Sequence, residues 1–253
     1  MRQTFIEHYA CIRACEGRGS DDGAYYRALP FADLTGRHAR QWQIRARTFR
    51  YFVRHVLPPA PCRILDLGAG NGWLSYRLRE LGHEPVAVDI FRDRRDGLAA
   101  VRSYPAPFPA VEADFDCLPF ADGWFDLAVF NASIHYSPDY ERTLTAVRRC
   151  LRPGGRLVIL DSPVYKQYED GVRMRTERQA QFQQQYGFRS EALGSIEFLD
   201  ERSLAELARR LALQWEIYRP WYGWRWHLRP VVAWIARRRP PSRFWILSAR
   251  FSQ

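Results

Sequence analysis

The run Arg63-Ile64-Leu65-Asp66-Leu67-Gly68-Ala69-Gly70-Asn71-Gly72 constrains the fold more than any other stretch of this chain. Its first half is a short apolar run of strand length, the pattern of a strand covered on both faces. Its second half places glycines at alternate positions. Glycine lets the backbone turn tightly and lets a ligand approach without a Cβ in the way. Helical periodicity follows from Trp73 to Leu81. A buried strand that passes through glycines into a helix opens a βα unit, and stacked βα units build parallel sheets.

The pattern then repeats. Pro85-Val86-Ala87-Val88-Asp89 reads as a second strand ending on a carboxylate, Val111 to Asp114 as a short third, and Phe125 to Phe130 as a fourth. A helix follows with Tyr140, Leu144, Val147 and Leu151 on one face. Arg152-Pro153-Gly154-Gly155 is expected to stop it before a fifth strand, Arg156 to Asp161. Ahead of this core lies a helix from about His38 to His55. Behind it, Asp200 is placed to cap a helix carrying Leu204, Leu207 and Leu211. The tail offers two further strands, Leu213 to Tyr218 and Phe244 to Phe251, with a short helix beginning at Pro230 between them. The expected fold class is α/β: a doubly wound, mostly parallel seven-stranded sheet, with an N-terminal helical addition and a helical insertion after strand five.

Loop and carboxylate together describe a nucleoside-containing ligand at the carboxyl ends of the strands. Asp89 lies 19 residues after Gly70, at the strand end that faces a ribose in doubly wound sheets. A dinucleotide-binding dehydrogenase shares both features, but spaces its glycines G-x-G-x-x-G to seat a pyrophosphate. Here the position of the third glycine is Trp73, an indole poorly suited to close helix–strand packing. A ligand without phosphate would not miss it.

Further along stand Ala113-Asp114-Phe115, then Cys117-Leu118-Pro119-Phe120, then Trp124-Phe125-Asp126, and finally Leu151-Arg152-Pro153-Gly154-Gly155. In type, order and spacing, residues 60–161 resemble the class I S-adenosylmethionine-dependent methyltransferases. The resemblance implies a Rossmann-like methyltransferase fold and S-adenosylmethionine as cofactor. It implies that the Gly68-Ala69-Gly70 turn passes under the methionine portion, with Asp66 near its ammonium. Asp89 would accept both ribose hydroxyls and Ile90 would lie against the adenine. Asp114 would accept from the adenine amino group, beside the Phe115 backbone. Asn131 would turn a backbone carbonyl toward the methionine end. On the same grounds residues 1–58 are an N-terminal helical cap and 59–253 the methyltransferase domain.

Methyl transfer from a sulfonium needs positioning and exclusion of water, and a base only where the acceptor must lose a proton. His135 follows strand four on the side where the methyl would emerge, and an imidazole titrating near neutrality would serve; shaping the pocket is the alternative role. Tyr165, just past strand five, is a candidate acceptor contact. Tyr25-Tyr26, and Trp42 with Arg45, could close over the cofactor or simply pack. Residues 162–195 read as a lid insertion or as a solvated surface helix, since Lys166 to Gln185 is too polar for a core helix.

Composition narrows the partners. The chain has 253 residues and a formal net charge of +10, yet Lys166 is its only lysine and its arginines are scattered apart from Arg237-Arg238-Arg239. That pattern disfavours nucleic acid as acceptor, and the N-P-P-Y type signature of amino-directed nucleic-acid enzymes is replaced by Asn131-Ala132-Ser133. A small-molecule acceptor is the leading reading. Against it stand a nucleic-acid or protein methyltransferase, a cofactor-binding subunit without chemistry, and an NAD-dependent oxidoreductase. No apolar run is long enough to span a bilayer, so a cytoplasmic protein is expected. Five cysteines without paired zinc-ligand spacing read as free thiols, Cys117 and Cys150 as small core hydrophobes, and no metal site is expected. The Trp- and Arg-rich tail suits either a peripheral membrane contact or the packing of large aromatics, and packing is favoured.

Overall fold

The computed structural model describes residues 2–189 and 194–252. Three helices come first: α1 (Arg2–Cys15), α2 (Gly23–Ala28) and α3 (Ala39–His55). The core then alternates β1 (Arg63–Leu67), α4 (Trp73–Glu80), β2 (Glu84–Asp89), β3 (Ala110–Glu112), β4 (Phe125–Asn131), α5 (Tyr140–Cys150) and β5 (Leu151–Leu160). Beyond it lie β6 (Val164–Tyr165), α6 (Tyr168–Tyr186), β7 (Leu199–Asp200) and α7 (Glu201–Leu211), and then β8 (Leu213–Tyr218), α8 (Trp224–His227), α9 (Arg229–Ile235) and β9 (Ile246–Phe251).

Seven strands form one sheet in the order β3-β2-β1-β4-β5-β9-β8. The first five are parallel, and β9 enters antiparallel between β5 and β8. The expected doubly wound sheet is therefore present. Its order reverses at β1 and β4, whose carboxyl ends open the crevice where such sheets bind ligands.

The two faces of the sheet bury separate cores. One joins Leu65, Phe130, Leu144, Val147, Leu157 and Leu207 under α5 and α7. The other joins Phe49, Phe52, Leu74, Leu78, Val129 and Val158 under α3 and α4. Each such side chain contributes about 1.5–3 kcal/mol on burial, so these faces, and not helix propensity, hold the layers in place. Trp73 belongs here. Its indole is buried and meets Trp42 and Phe49 edge-on at 5.9 and 5.8 Å. It staples α4 to α3 within the helical layer.

Several boundaries differ from the sequence reading. β3 ends at Glu112, leaving Asp114 in a loop bridged to Cys117. β5 begins directly after α5 and runs through Pro153-Gly154-Gly155, because its register against β4 shifts between Phe125 and Leu127. Proline at such an irregularity has no ladder hydrogen bond to lose. The segment expected as a lid holds α6, flanked by the small β6–β7 ladder; residues 190–193 of it lie outside the described residues. Tyr25 and Tyr26 pack in the second core. Cys150 is buried as expected, whereas Cys117 is exposed, because it follows the short β3 into a surface loop. Asp200 caps α7, accepting from the amides of Arg202 and Ser203.

Candidate functional site

Two cavities meet over the carboxyl ends of β1, β2, β4 and β5. The smaller, about 130 Å³, lies between Ile90 and Phe91 on one side and Phe115 on the other, with Asp89 and Asp114 in its wall. The larger, about 590 Å³, extends from Ala69 and Asn131 across β5 to α3, α6 and α9. Gly68, Gly70, Ala132, Tyr9 and Tyr136 line both, so the cavities form one continuous site.

The glycine turn forms the floor. Gly68 and Gly70 have φ of 70° and 55°, in the left-handed region that favours glycine. A Cβ at residue 68 would stand 2.3 Å from Ser133 Cβ and 3.2 Å from Phe115, filling the junction of the cavities. Asp89 closes the turn from β2. Its Oδ2 accepts from the Gly70 amide at 2.8 Å and its Oδ1 from the Phe91 amide at 2.9 Å. Burial raises the Asp89 pKa and those amides oppose the rise.

Asp66 is fully buried behind the turn, touches neither cavity, and accepts from Ser75 Oγ at 2.7 Å. Its Oδ1 has no partner among the described residues, and burial pushes its carboxyl up to about 7. A middle-of-strand residue points into the helical layer, whereas a strand-end residue such as Asp89 can point into the cleft. Ala69 and Asn131 line the larger cavity, and Ile90, Asp114 and Phe115 the smaller. Asn131 keeps a buried Oδ1 with no partner among the described residues.

His135 lines the larger cavity, but the expectation of near-neutral titration is corrected. Burial, then the charges of Arg178 and Arg45, push its pKa down to about 3. The imidazole is neutral at any working pH and a weak proton acceptor. Tyr165 also lines the cavity, buried, and its hydroxyl accepts from Arg239 at 3.1 Å.

Asp161 and Ala132, also in the wall, were not singled out by sequence, whereas Arg45, with Trp42, was expected to close over the cofactor or simply pack. Asp161 directly follows β5 in a left-handed conformation, φ 49°, and Ala132 follows β4 likewise at φ 55°. Non-glycine residues in that region cost about 1–3 kcal/mol and mark sites where neighbouring structure dictates direction. Asp161 is buried, accepts from the Thr48 hydroxyl at 2.6 Å, and keeps Oδ2 without a partner among the described residues. Burial raises its pKa, with Thr48 and Arg45 opposing. Arg45 stacks over Trp42 at 4.8 Å and faces the same cavity. The cover comes from α1: Tyr9 packs edge-on against Phe91 at 5.1 Å and Tyr136 at 5.8 Å, and Arg13 is ion-paired to Asp96. Helix α1 has weak apolar periodicity, so nothing in its sequence announced the role.

Comparison with known proteins agrees with this geometry. Residues 65–159 match a family model described as a methyltransferase domain. The chain is 32% identical over 153 residues to a malonyl-[acyl-carrier protein] O-methyltransferase of Erwinia pyrifoliae, covering 59% of this chain and 55% of that one. It is 38% identical over 130 residues to a demethylmenaquinone methyltransferase of Thermus thermophilus, covering 49% and 54%. The chain thus spans about half the length of these curated relatives. An S-adenosylmethionine-dependent methyltransferase of Mesorhizobium loti superposes with a TM-score of 0.57 at 22% identity, over 78% of this chain and 95% of that one, a likeness of fold. Residues 65–159 are thus similar to a methyltransferase domain, and the sheet topology is that of an S-adenosylmethionine-dependent methyltransferase fold.

Proposed function

We propose that this protein transfers a methyl group from S-adenosylmethionine to a small-molecule acceptor bearing an acidic group. The observation that carries the reading is the paired cavity over the switch point of the sheet, with Asp89 at its narrow end and a cation-lined chamber at its wide end. The residues present fit an adenosyl group. The glycine cradle is space a single Cβ would fill, Asp89 supplies a hydroxyl-accepting carboxylate, and Ile90, Phe91 and Phe115 offer apolar walls with Asp114 at the rim. Bound there, the cofactor supplies an activated methyl on a sulfonium. Tyr9 and Tyr136, at the junction, present ring surface suited to a cation and exclude water from it.

The acceptor chamber is lined by Arg13, Arg18, Arg45, Arg178, Arg229 and Arg239 against Glu16, Asp96 and Asp161. Arg13, Arg18, Arg178 and Arg239 are ion-paired to Asp96, Glu16, Glu197 and Glu177, so a carboxylate or phosphate on the acceptor would be oriented chiefly by Arg45 and Arg229. Where the acceptor must lose a proton, Asp161 takes it in preference to His135, because burial makes this carboxylate a stronger base than usual. The names of the relatives, one acting on malonyl-[acyl-carrier protein] and one on demethylmenaquinone, support acceptors of modest size at the site of transfer. Residues 162–189 supply the lid of this chamber, through Met174, Arg178 and Phe182 of α6.

The test is calorimetric titration with adenosylhomocysteine, with NAD in parallel. Binding of adenosylhomocysteine alone is the expected result. Binding of NAD alone would overturn the assignment, and so would an Asp89→Ala variant with unchanged affinity for adenosylhomocysteine.

A further inference from the structure

The segment between β8 and β9 leaves apolar surface uncovered to an extent found nowhere else among the described residues. Trp221, Trp224 and Trp234 are 52, 75 and 80% exposed, and Leu228, Val231, Val232 and Ile235 stand out beside them. The packing of large aromatics expected from sequence holds for Trp245, which is buried, and for Trp215, whose indole N–H donates to the Leu204 carbonyl at 3.0 Å. It fails for these three tryptophans.

The segment is nonetheless anchored. At its base the Tyr222 hydroxyl donates to the Phe244 carbonyl at 3.0 Å, and Trp226 packs on Tyr222 and Phe244 with centroids 5.0 and 5.3 Å apart. Arg229 stacks over Trp226 at 3.3 Å and reaches the Ser242 carbonyl. A fixed base below an apolar outer face describes a wedge held ready for a surface, and not a frayed loop.

Charge selects the surface. From Ile217 to Gln253 the chain has no Asp or Glu, and residues 219–243 contain seven arginines. Glu177 and Glu201, which reach this segment from α6 and α7, are already paired with Arg239 and Arg243. A second copy would set this cationic face against itself. Exposed tryptophan with Val and Ile, rimmed by arginine, matches the interface of an anionic bilayer, where amphipathic rings sit at headgroup level and arginine meets phosphate. We infer that α8 and α9 dock this protein peripherally on an anionic membrane surface.

The placement bears on the site. Arg229, Arg239 and Pro241 line both the acceptor chamber and the groove beneath α9. Docking therefore turns the wall of the chamber toward the lipid. This reading is independent of the methyl-transfer chemistry, and its test does not need it.

The experiment is flotation of the full chain with vesicles of phosphatidylcholine alone and of phosphatidylcholine with phosphatidylglycerol. The expected result is co-flotation with the anionic vesicles only, weakening as salt rises. Two variants probe the two halves of the patch, Trp224→Ser with Trp234→Ser, and Arg237→Gln with Arg238→Gln; Arg239 is left intact because it belongs to the chamber. Each arginine near an anionic surface changes partitioning about fivefold, so the arginine pair should lower it about 25-fold. The tryptophan pair should abolish flotation while keeping the wild-type melting temperature. No flotation, or flotation that both variants preserve, would overturn the inference. So would a dimer in sedimentation, or duplex DNA binding, that disappears with the two tryptophans, since the patch would then have another occupant.

Discussion

Asp89 is held in place before any ligand arrives, since the amides of Gly70 and Phe91 already spend two of its acceptor positions. Removing the carboxylate releases the glycine turn and, on the proposed function, deletes the acceptor for the ligand. Hydrogen bonds to a charged group contribute about 1.5–3 kcal/mol each, so Asp89→Ala should weaken adenosylhomocysteine binding by at least about tenfold in calorimetry. Gly68→Ala should do so differently, by steric occupation, since the added methyl meets Ser133 Cβ at 2.3 Å. It should also lower the melting temperature. Asp66 makes a pH statement. Its carboxyl is pushed up to about 7 in the folded chain, above its unfolded value, so folding favours the protonated form. That contribution is present at acid pH and is lost as pH rises from the unfolded pKa, about 3.9, through about 7. Denaturant midpoints measured between pH 4 and 8 should therefore show a decline that Asp66→Asn reduces. At this scale the sequence was most legible for the placement of Gly68, Gly70 and Asp89, which follows from local backbone geometry. It was least legible for His135 and Asp161, because the fields of Arg45 and Arg178 come from distant helices.

At the scale of elements, α5 and α6 differ in how they are held. Helix α5 buries Tyr140, Thr143, Leu144, Val147 and Cys150 along one face, a stripe readable from spacing alone. Helix α6 buries only Asp170 and Gly171, both in its first turn, and its middle offers Met174, Arg178 and Phe182 to the chamber. Gly171 is the pin: a Cβ there would stand 2.2 Å from the Phe198 ring. Gly171→Val should lift α6 and destabilise the protein by about 1–3 kcal/mol, the usual cost of overpacking, read as a fall in the denaturant midpoint. Amide exchange should be faster over residues 175–186 than over α5, because local opening there uncovers little apolar surface. The polar stretch was legible as something other than a core helix. Its position over the chamber was not, since it depends on where β5 and β7 end.

For the whole molecule, the paired cavity proposed to hold the cofactor is closed by elements remote in sequence: α1 from the start of the chain, β1 to β5 from its middle, and the α9 region near its end. A ligand that bridges them should stabilise them together. At adenosylhomocysteine concentrations about 100 times its Kd, linkage adds about 2.7 kcal/mol, which for a chain of this size raises the melting temperature by about 5–10 °C. No helix among the described residues is long and apolar enough to cross a membrane.

The sequence by itself determined the parallel core, the glycine turn and the carboxylate that meets it. Each of these is a short-range matter: apolar runs of strand length, glycine where φ is positive, and a side chain at a strand end. Tertiary structure alone decided that Asp66 lies behind the cleft and not in it, that α1 and not Tyr25-Tyr26 covers the cofactor cavity, and that three tryptophans of the tail face outward. Those outcomes depend on which face of one element meets another, and on the long-range balance of burial against charge that no local pattern encodes.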